Sequence, residues 1–184
     1  SPMKRLLQGD VGSGKTIVAA AAVTATIKNN KQAALMAPTE VLAEQHLLSF
    51  KKYLEYFDVD IHLLTSSVKD REDIYEIIDR GDPVLIIGTH ALIQDKVNFN
   101  NLGLAIIDEQ QRFGVEQRKK LVDNDDFTPH QLVMTATPIP RTTALAIYGD
   151  LELSVIDELP PGRKKIKSRV LSGGKRDNKE VYET

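Results

Sequence analysis

Short apolar runs alternate with longer amphipathic segments along this chain. The apolar runs have the length and near-continuous hydrophobicity of strands buried on both faces; they cover residues 5–8, 33–37, 61–64, 84–88, 104–108, 132–135 and 151–156. Helical segments are predicted between them, at residues 16–28, 38–57, 68–80, 115–122 and 141–148. In the second of these, apolar residues recur every three or four positions and form one helix face: Leu47, Phe50, Leu54 and Phe57. The alternation predicts an α/β domain, with a mostly parallel sheet and helices on both of its faces.

Composition narrows the class of protein. The 184 residues fit one domain, and 24 basic against 26 acidic residues give a net charge of −2, which argues against a strongly basic coat for nucleic acid. The absence of cysteine excludes a disulfide scaffold, thiol catalysis and cysteine-bound zinc. Aromatic residues make up 5% with no tryptophan, so a surface that binds bases mainly by stacking is not expected. No apolar run is long enough for a transmembrane helix.

Residues 9–16 carry a phosphate-binding signature. The pattern G-x-x-x-x-G-K-[ST] is met by Gly9, Asp10, Val11, Gly12, Ser13, Gly14, Lys15 and Thr16. An apolar strand precedes the loop and an alanine-rich helix follows it, so backbone N–H groups and the helix N-terminus can face an anion. Lys15 is predicted to meet the β- and γ-phosphates of ATP, and the Thr16 hydroxyl to bind Mg²⁺.

Two consecutive carboxylates end the strand predicted at residues 104–108. Because the carboxyl ends of parallel strands line the ligand crevice, Asp108 is expected near the Mg²⁺ that Thr16 binds. Glu109 is expected beside the water that attacks the γ-phosphate, as its general base. The alternative is a solvated strand end without a chemical role.

Several further strings resemble the first motor domain of superfamily 2 helicases and translocases, and within that group RecG-type ATP-dependent DNA helicases. They are Leu7–Thr16, Ala37–Glu40 with Leu42–His46, Gly88–His90, Asp108–Gly114, Thr135–Thr142 and Asp157–Arg163. The resemblance covers about residues 4–170. It departs from the expected pattern at Gln111, where histidine usually follows Asp-Glu-Gln; glutamine can still donate and accept hydrogen bonds.

The resemblance implies a RecA-like P-loop NTPase domain that uses ATP and Mg²⁺ and acts on branched DNA in repair and recombination, by fork reversal and junction branch migration. DNA-backbone contacts are implied for Pro38, Thr39, Thr89, His90 and Arg141, with the alternative that Arg141 simply starts a helix. Coupling between nucleotide and DNA is implied for Thr135 and Thr137, towards which Gln111 would hydrogen-bond. It also implies a monomeric bacterial protein in the cytoplasm, acting at the nucleoid. The structural alternatives stay open: Pro38-Thr39 as a plain helix start, and His90 as a loop histidine.

Domain boundaries follow from composition and from the resemblance. We expect residues 1–3 to be an expression-vector scar, residues 4–159 to form the helicase ATP-binding domain, and residues 160–184 to be a basic linker towards a second motor domain. Without that second domain, the chain is expected to bind nucleotide but to hydrolyse it poorly. His46 and His62 show no metal-ligand spacing and are expected to be structural or exposed.

Three other functions compete with this interpretation. The motor of a transcription-repair coupling factor is similar. The segment that ends the predicted domain looks more like the RecG type, with the sequence Leu159-Pro160-Pro161-Gly162-Arg163. A small-molecule kinase shares the phosphate loop but gives no role to residues 108–111 or 135–137. An interaction module that binds nucleotide without hydrolysis conflicts with the intact Lys15, Thr16, Asp108 and Glu109.

Overall fold

The computed structural model describes residues 1–109, 121, 128–137 and 151–157. The strands are β1 (Lys4–Gly9), β2 (Gln32–Met36), β3 (Asp60–Leu64), β4 (Val84–Gly88), β5 (Leu102–Asp108), β6 (His130–Thr135) and β7 (Glu152–Ile156). The helices are α1 (Lys15–Lys28), α2 (Glu40–Tyr53) and α3 (Glu72–Arg80), and a short 3₁₀ helix covers His90–Ile93. The strands form one seven-stranded sheet in the order β3-β4-β2-β5-β6-β1-β7, and every pairing is parallel.

The helices cover both faces of the sheet. Alternate residues of a strand point to opposite faces, and in β2 Ala33 and Leu35 pack in one core with α1 and α2. Ala34 and Met36 pack in the other core, with α3. Every residue of β2 and β4 is buried, and all of them except Gln32 at the start of β2 are apolar or glycine, as expected for strands covered on two sides.

The strand register aligns the carboxyl ends of the central strands. Met134 of β6 lies opposite both Leu7 of β1 and Asp108 of β5. Two strand spacings of about 4.8 Å therefore separate Leu7 from Asp108, roughly 10 Å across the sheet. The phosphate loop that follows β1 and the acidic pair that ends β5 thus share one edge of the sheet.

Two of the predicted helices differ from the observed ones at their ends. The helix expected at 38–57 ends at Tyr53, and Phe57 lies outside it with 45% of its surface exposed. Leu54 turns into the core as the C-cap, and the chain then reverses to begin β3. The helix expected at 68–80 begins only at Glu72 and ends at Arg80, and Gly81 caps it with a φ of 75°, in the left-handed region.

The predicted helices at 115–122 and 141–148 lie outside the described residues, apart from the buried Leu121. The 3₁₀ helix after β4 was not predicted. Within the described part of the chain, no helix combines the length and the apolar character needed to cross a membrane.

Candidate functional site

The phosphate loop depends on its glycines for two different reasons. Gly12 and Gly14 have φ of 80° and 99°, in the left-handed region that glycine adopts without strain. A Cβ on Gly14 would meet nothing within 4 Å, so the requirement there is conformational. Gly9 is needed for space, because a Cβ there would lie 2.5 Å from Ser13 Oγ and 3.1 Å from Ile156 Cβ.

Lys15 begins α1 and folds back over the loop. Its Nζ donates to the carbonyl oxygens of Gly9 at 2.7 Å and Asp10 at 2.9 Å. The ammonium group therefore lies beside the start of the loop, where it could donate to a bound phosphate.

The Ser13 hydroxyl is a further polar group inside the loop. Its Oγ is buried and has no hydrogen-bond partner among the described residues. Because buried polar atoms are nearly always paired, this hydroxyl fits a loop built to hold a polar ligand. The loop thus offers a cation, a hydroxyl and a helix N-terminus, which together suit phosphate.

The two consecutive acids point to different partners. The Asp108 carboxylate accepts, through Oδ2, a 2.7 Å hydrogen bond from His46 Nε2–H, and the two side chains are 14% and 12% exposed. Glu109 has a φ of 50°, which is uncommon for a residue with a side chain. That turn lets Glu109 Oε1 accept from the Ala136 N–H at 3.1 Å, while its own N–H donates to Met134 O.

The predicted coupling segment follows β6. Thr135 is fully buried, and its Oγ1 lies 2.9 Å from Oγ1 of the exposed Thr137. The Thr137 N–H also donates to Thr135 Oγ1 at 3.2 Å. The hydroxyl pair is thus brought together beside Glu109, but Gln111, its predicted partner, lies outside the described residues.

The predicted DNA-contacting residues follow two neighbouring strands. Met36 at the end of β2 pairs with Gly88 at the end of β4, so Pro38-Thr39 and Thr89-His90 leave the sheet at the same level. Thr39 is exposed and caps α2, accepting from Leu42 N–H at 3.3 Å.

The other pair of predicted DNA contacts is divided between buried and exposed positions. Thr89 is only 3% exposed, whereas His90 is exposed. His90 is therefore the accessible member of that pair. Arg141 lies outside the described residues.

Oxygen ligands for Mg²⁺ are available at this edge. Thr16 lies in the first turn of α1, and Asp108 ends β5 with one carboxylate oxygen bonded to His46. A hydroxyl and a carboxylate suit a cation that keeps several waters and takes its other ligands from phosphate. Within the described ranges, no group of three or more acidic, histidine or cysteine side chains is arranged so that it could hold a metal ion.

Two contacts of this site were missed by the sequence analysis. His46 was expected to be structural or exposed, yet it reaches Asp108. It lies three residues after Ala43 and four before Phe50, both fully buried, so helical spacing alone places it on the inner face of α2. The bond between Ala136 and Glu109 had no sequence signal, because it uses a backbone N–H.

The chain is similar to known helicases along most of its length. The family described as DEAD/DEAH box helicase matches residues 3–146. The ATP-dependent DNA helicase RecG of Aquifex aeolicus (strain VF5) is 53% identical over 184 residues, which cover 98% of this chain and 23% of that protein. The protein of the same name from Bacillus subtilis (strain 168) is 56% identical over 168 residues, 90% of this chain and 24% of that protein. The chain thus spans about a quarter of these relatives.

Solved structures of helicases are also similar to this chain. A structure of RecG bound to a three-way DNA junction matches all of this chain with a TM-score of 0.81 and 44% identity, over 24% of its own length. The Pyrococcus furiosus Hef helicase domain matches 84% of this chain with a TM-score of 0.63 at 19% identity, a likeness of fold alone.

Proposed function

This chain belongs to the DEAD/DEAH box helicase family, and from that premise we propose that it is the ATP-binding motor half of an ATP-dependent DNA helicase acting on branched DNA. One observation carries the proposal: the register through Met134 sets the phosphate loop and the Asp108-Glu109 pair on the same edge of the sheet. The similarity to RecG helicases supports DNA as the substrate.

The chemistry follows from the positions of four side chains. Lys15 holds the β- and γ-phosphates through charge-assisted hydrogen bonds, and the loop N–H groups hold the remaining oxygens. Thr16 and Asp108 hold Mg²⁺, which when bound neutralises charge on the transferring phosphoryl group. Glu109 accepts a proton from the attacking water, and its bond from the Ala136 N–H fixes where its carboxylate lies.

DNA would bind on the neighbouring part of the same edge. Thr39 and His90 are exposed at the ends of β2 and β4, and the N-terminus of α2 begins next to Thr39. A hydroxyl, an imidazole and a helix N-terminus suit the phosphate backbone, which positions a strand without reading its bases. Thr135 ends β6 and Thr137 follows it, and β6 lies between β5 and β1, within the nucleotide region of this edge. From there the two threonines would transmit the state of the γ-phosphate towards the DNA residues.

We assign residues 4–159 to this motor domain and residues 160–184 to a linker that leads to a second motor domain. Such a domain would supply arginines that stabilise the transition state, an effect of about 10³–10⁵ in rate in GTPases that use them. The 184-residue chain alone would therefore bind Mg·ATP weakly, hydrolyse it slowly and not unwind DNA.

The test is ATP hydrolysis with forked DNA, single-stranded DNA or RNA, by this chain and by a longer chain that adds the downstream motor sequence. We expect stimulation by forked DNA in the longer chain only. Turnover of several per second by the 184-residue chain would contradict the need for a second domain. Stimulation by RNA but not by DNA would overturn the substrate.

A further inference from the structure

The bond between His46 and Asp108 has no part in the chemistry described above. Both side chains are largely buried, and Nε2 and Oδ2 are 2.7 Å apart. A carboxylate can only accept, so the imidazole donates. A short, largely buried bond of this kind holds its acceptor in one rotamer better than an exposed one does.

The surroundings of His46 hold the imidazole in place. It lies on the inner face of α2, between Ala43 and Phe50, both of which are completely buried. The Phe50 ring meets the imidazole edge-on, with centroids 6.4 Å apart and planes at 63°. The orientation of Nε2 is therefore set by the packing of α2 against the sheet.

We propose that His46 is a positioning residue for Mg²⁺: its Nε2–H holds Oδ2 of Asp108, so that Oδ1 is directed to the cation or to one of its waters. This inference rests on the proposed function, in which Asp108 is a Mg²⁺ ligand. Hydrogen bonds to the ligands of a metal orient them, and loss of such a partner costs about 10–100-fold in metal affinity or activity.

The substitutions that test this role differ in reach. In His46→Gln the amide nitrogen is as many bonds from Cα as Nε2 is, so it can still donate to Asp108. In His46→Asn the nitrogen is one bond shorter and corresponds to Nδ1, which does not contact Asp108. His46→Leu keeps apolar contact with Phe50 and removes the donor.

A matched control is available on β3. His62 Nε2 also lies 2.7 Å from a carboxylate oxygen, Asp60 Oδ2, with side-chain exposures of 29% and 62%. This strand is at the far edge of the sheet from β1. His62→Leu therefore removes the same kind of bond away from the proposed Mg²⁺ ligand.

The measurement is binding of a fluorescent ADP analogue to the whole 184-residue chain as Mg²⁺ is titrated, with EDTA samples and thermal unfolding alongside. We expect the Mg²⁺ concentration at half-saturation to rise about tenfold or more in His46→Leu and His46→Asn. It should stay near the unsubstituted value in His46→Gln and His62→Leu. Binding in EDTA should be unchanged in all four.

The outcomes separate this proposal from the proposed function. If His46→Gln and His46→Asn reach half-saturation at the same Mg²⁺ concentration, a donor close to Asp108 makes no difference, and the proposal is wrong. That comparison stands even if His46→Leu fails to fold. If the unsubstituted chain shows no Mg²⁺-dependent nucleotide binding, the proposed function itself fails, and the role of His46 fails with it.

Discussion

Lys15 carries the positive charge that the phosphate loop brings towards a ligand. Its ammonium group is bonded to two carbonyl oxygens of its own loop, at Gly9 and Asp10. A phosphate oxygen is a stronger acceptor than a neutral carbonyl, because it is charged. Lys15 can therefore exchange loop carbonyls for phosphate without leaving the place where it already lies.

Replacing Lys15 by alanine should weaken binding of ATP and reduce turnover by on the order of 10² or more, since the clamp on the transferring phosphoryl group is lost. Fluorescent-nucleotide binding and steady-state ATPase of the longer chain measure the two effects. Lys31→Ala is the control, because Lys31 contacts Asn101 away from the loop. Fork-stimulated hydrolysis that persists in Lys15→Ala would refute the role of this lysine.

Glu109→Gln should separate binding from hydrolysis. The amide oxygen can still accept from the Ala136 N–H, so the local turn is kept. The side chain can no longer take a proton, and turnover should fall by about 10²–10⁴. Nucleotide titration and ATPase assays measure this. A large loss of nucleotide affinity would show that Glu109 holds the nucleotide rather than activating water.

For single residues, the sequence was enough to place the predicted loop and acidic pair along the chain, but not to predict the contacts that they make with distant residues. The loop and the acidic pair had fixed spacings, and each lies at the predicted strand end. The contact between His46 and Asp108 was not predicted, because it depends on how α2 lies against the sheet, which no local spacing reports. Gln111 and Arg141 stay predictions.

Among the secondary-structure elements, α2 connects two parts of the proposed site. It begins at the exposed Thr39 cap and places His46 two turns later against Asp108. One helix therefore touches both the proposed DNA path and the proposed Mg²⁺ ligand.

Two substitutions of Thr39 distinguish a helix cap from a DNA contact. Thr39→Ala should lose about 1 kcal/mol of stability with the cap, and should also weaken DNA binding. Thr39→Asp keeps a capping oxygen and places a negative charge at the helix N-terminus, so stability should be retained. Repulsion from phosphate should nevertheless lower its DNA affinity several-fold. Thermal unfolding and DNA titration check both, and unchanged DNA affinity in Thr39→Asp would leave Thr39 as a cap only.

The strands were predicted more accurately than the helix ends. Near-continuous apolar runs mark strands covered on both faces, and the observed strands match the predicted ones within two residues at each end. Helix ends depend on tertiary packing, which the local pattern does not show. At Leu54, for example, the side chain is buried in the core where α2 ends, before β3 begins. The predicted RecA-like domain and the resemblance to RecG-type helicases are confirmed by the matches to known proteins.

At the scale of the whole molecule, the order of the strands in the sheet determines which residues lie together in the site. β1 lies between β6 and β7, far from β2, its neighbour in sequence. This order brings residues a hundred positions apart to one edge, and it was not predictable from local patterns because strand pairing is non-local. The proposed nucleotide residues collect at β1 and β5, and the proposed DNA residues at β2 and β4.

Shortening the chain should show how far the domain depends on β7. A chain that ends at residue 150 loses the parallel pairing with β1, the Arg5–Ser154 bond of 2.7 Å, and the packing of Leu153 near Leu6. Its melting temperature should fall by roughly 5–10 °C relative to a chain that ends at 157. Light scattering should show more association, because β1 becomes an open edge. Equal melting temperatures would contradict this.

The close approach of Ile156 to Gly9 has a practical consequence for anyone who isolates this motor. The family match stops at residue 146, before β7 begins. A boundary drawn there would remove the residue that approaches Gly9, the first glycine of the phosphate-binding signature. We therefore expect a chain cut at that boundary to hold a triphosphate less tightly than one that includes Ile156, although isoleucine itself offers no polar group to a ligand.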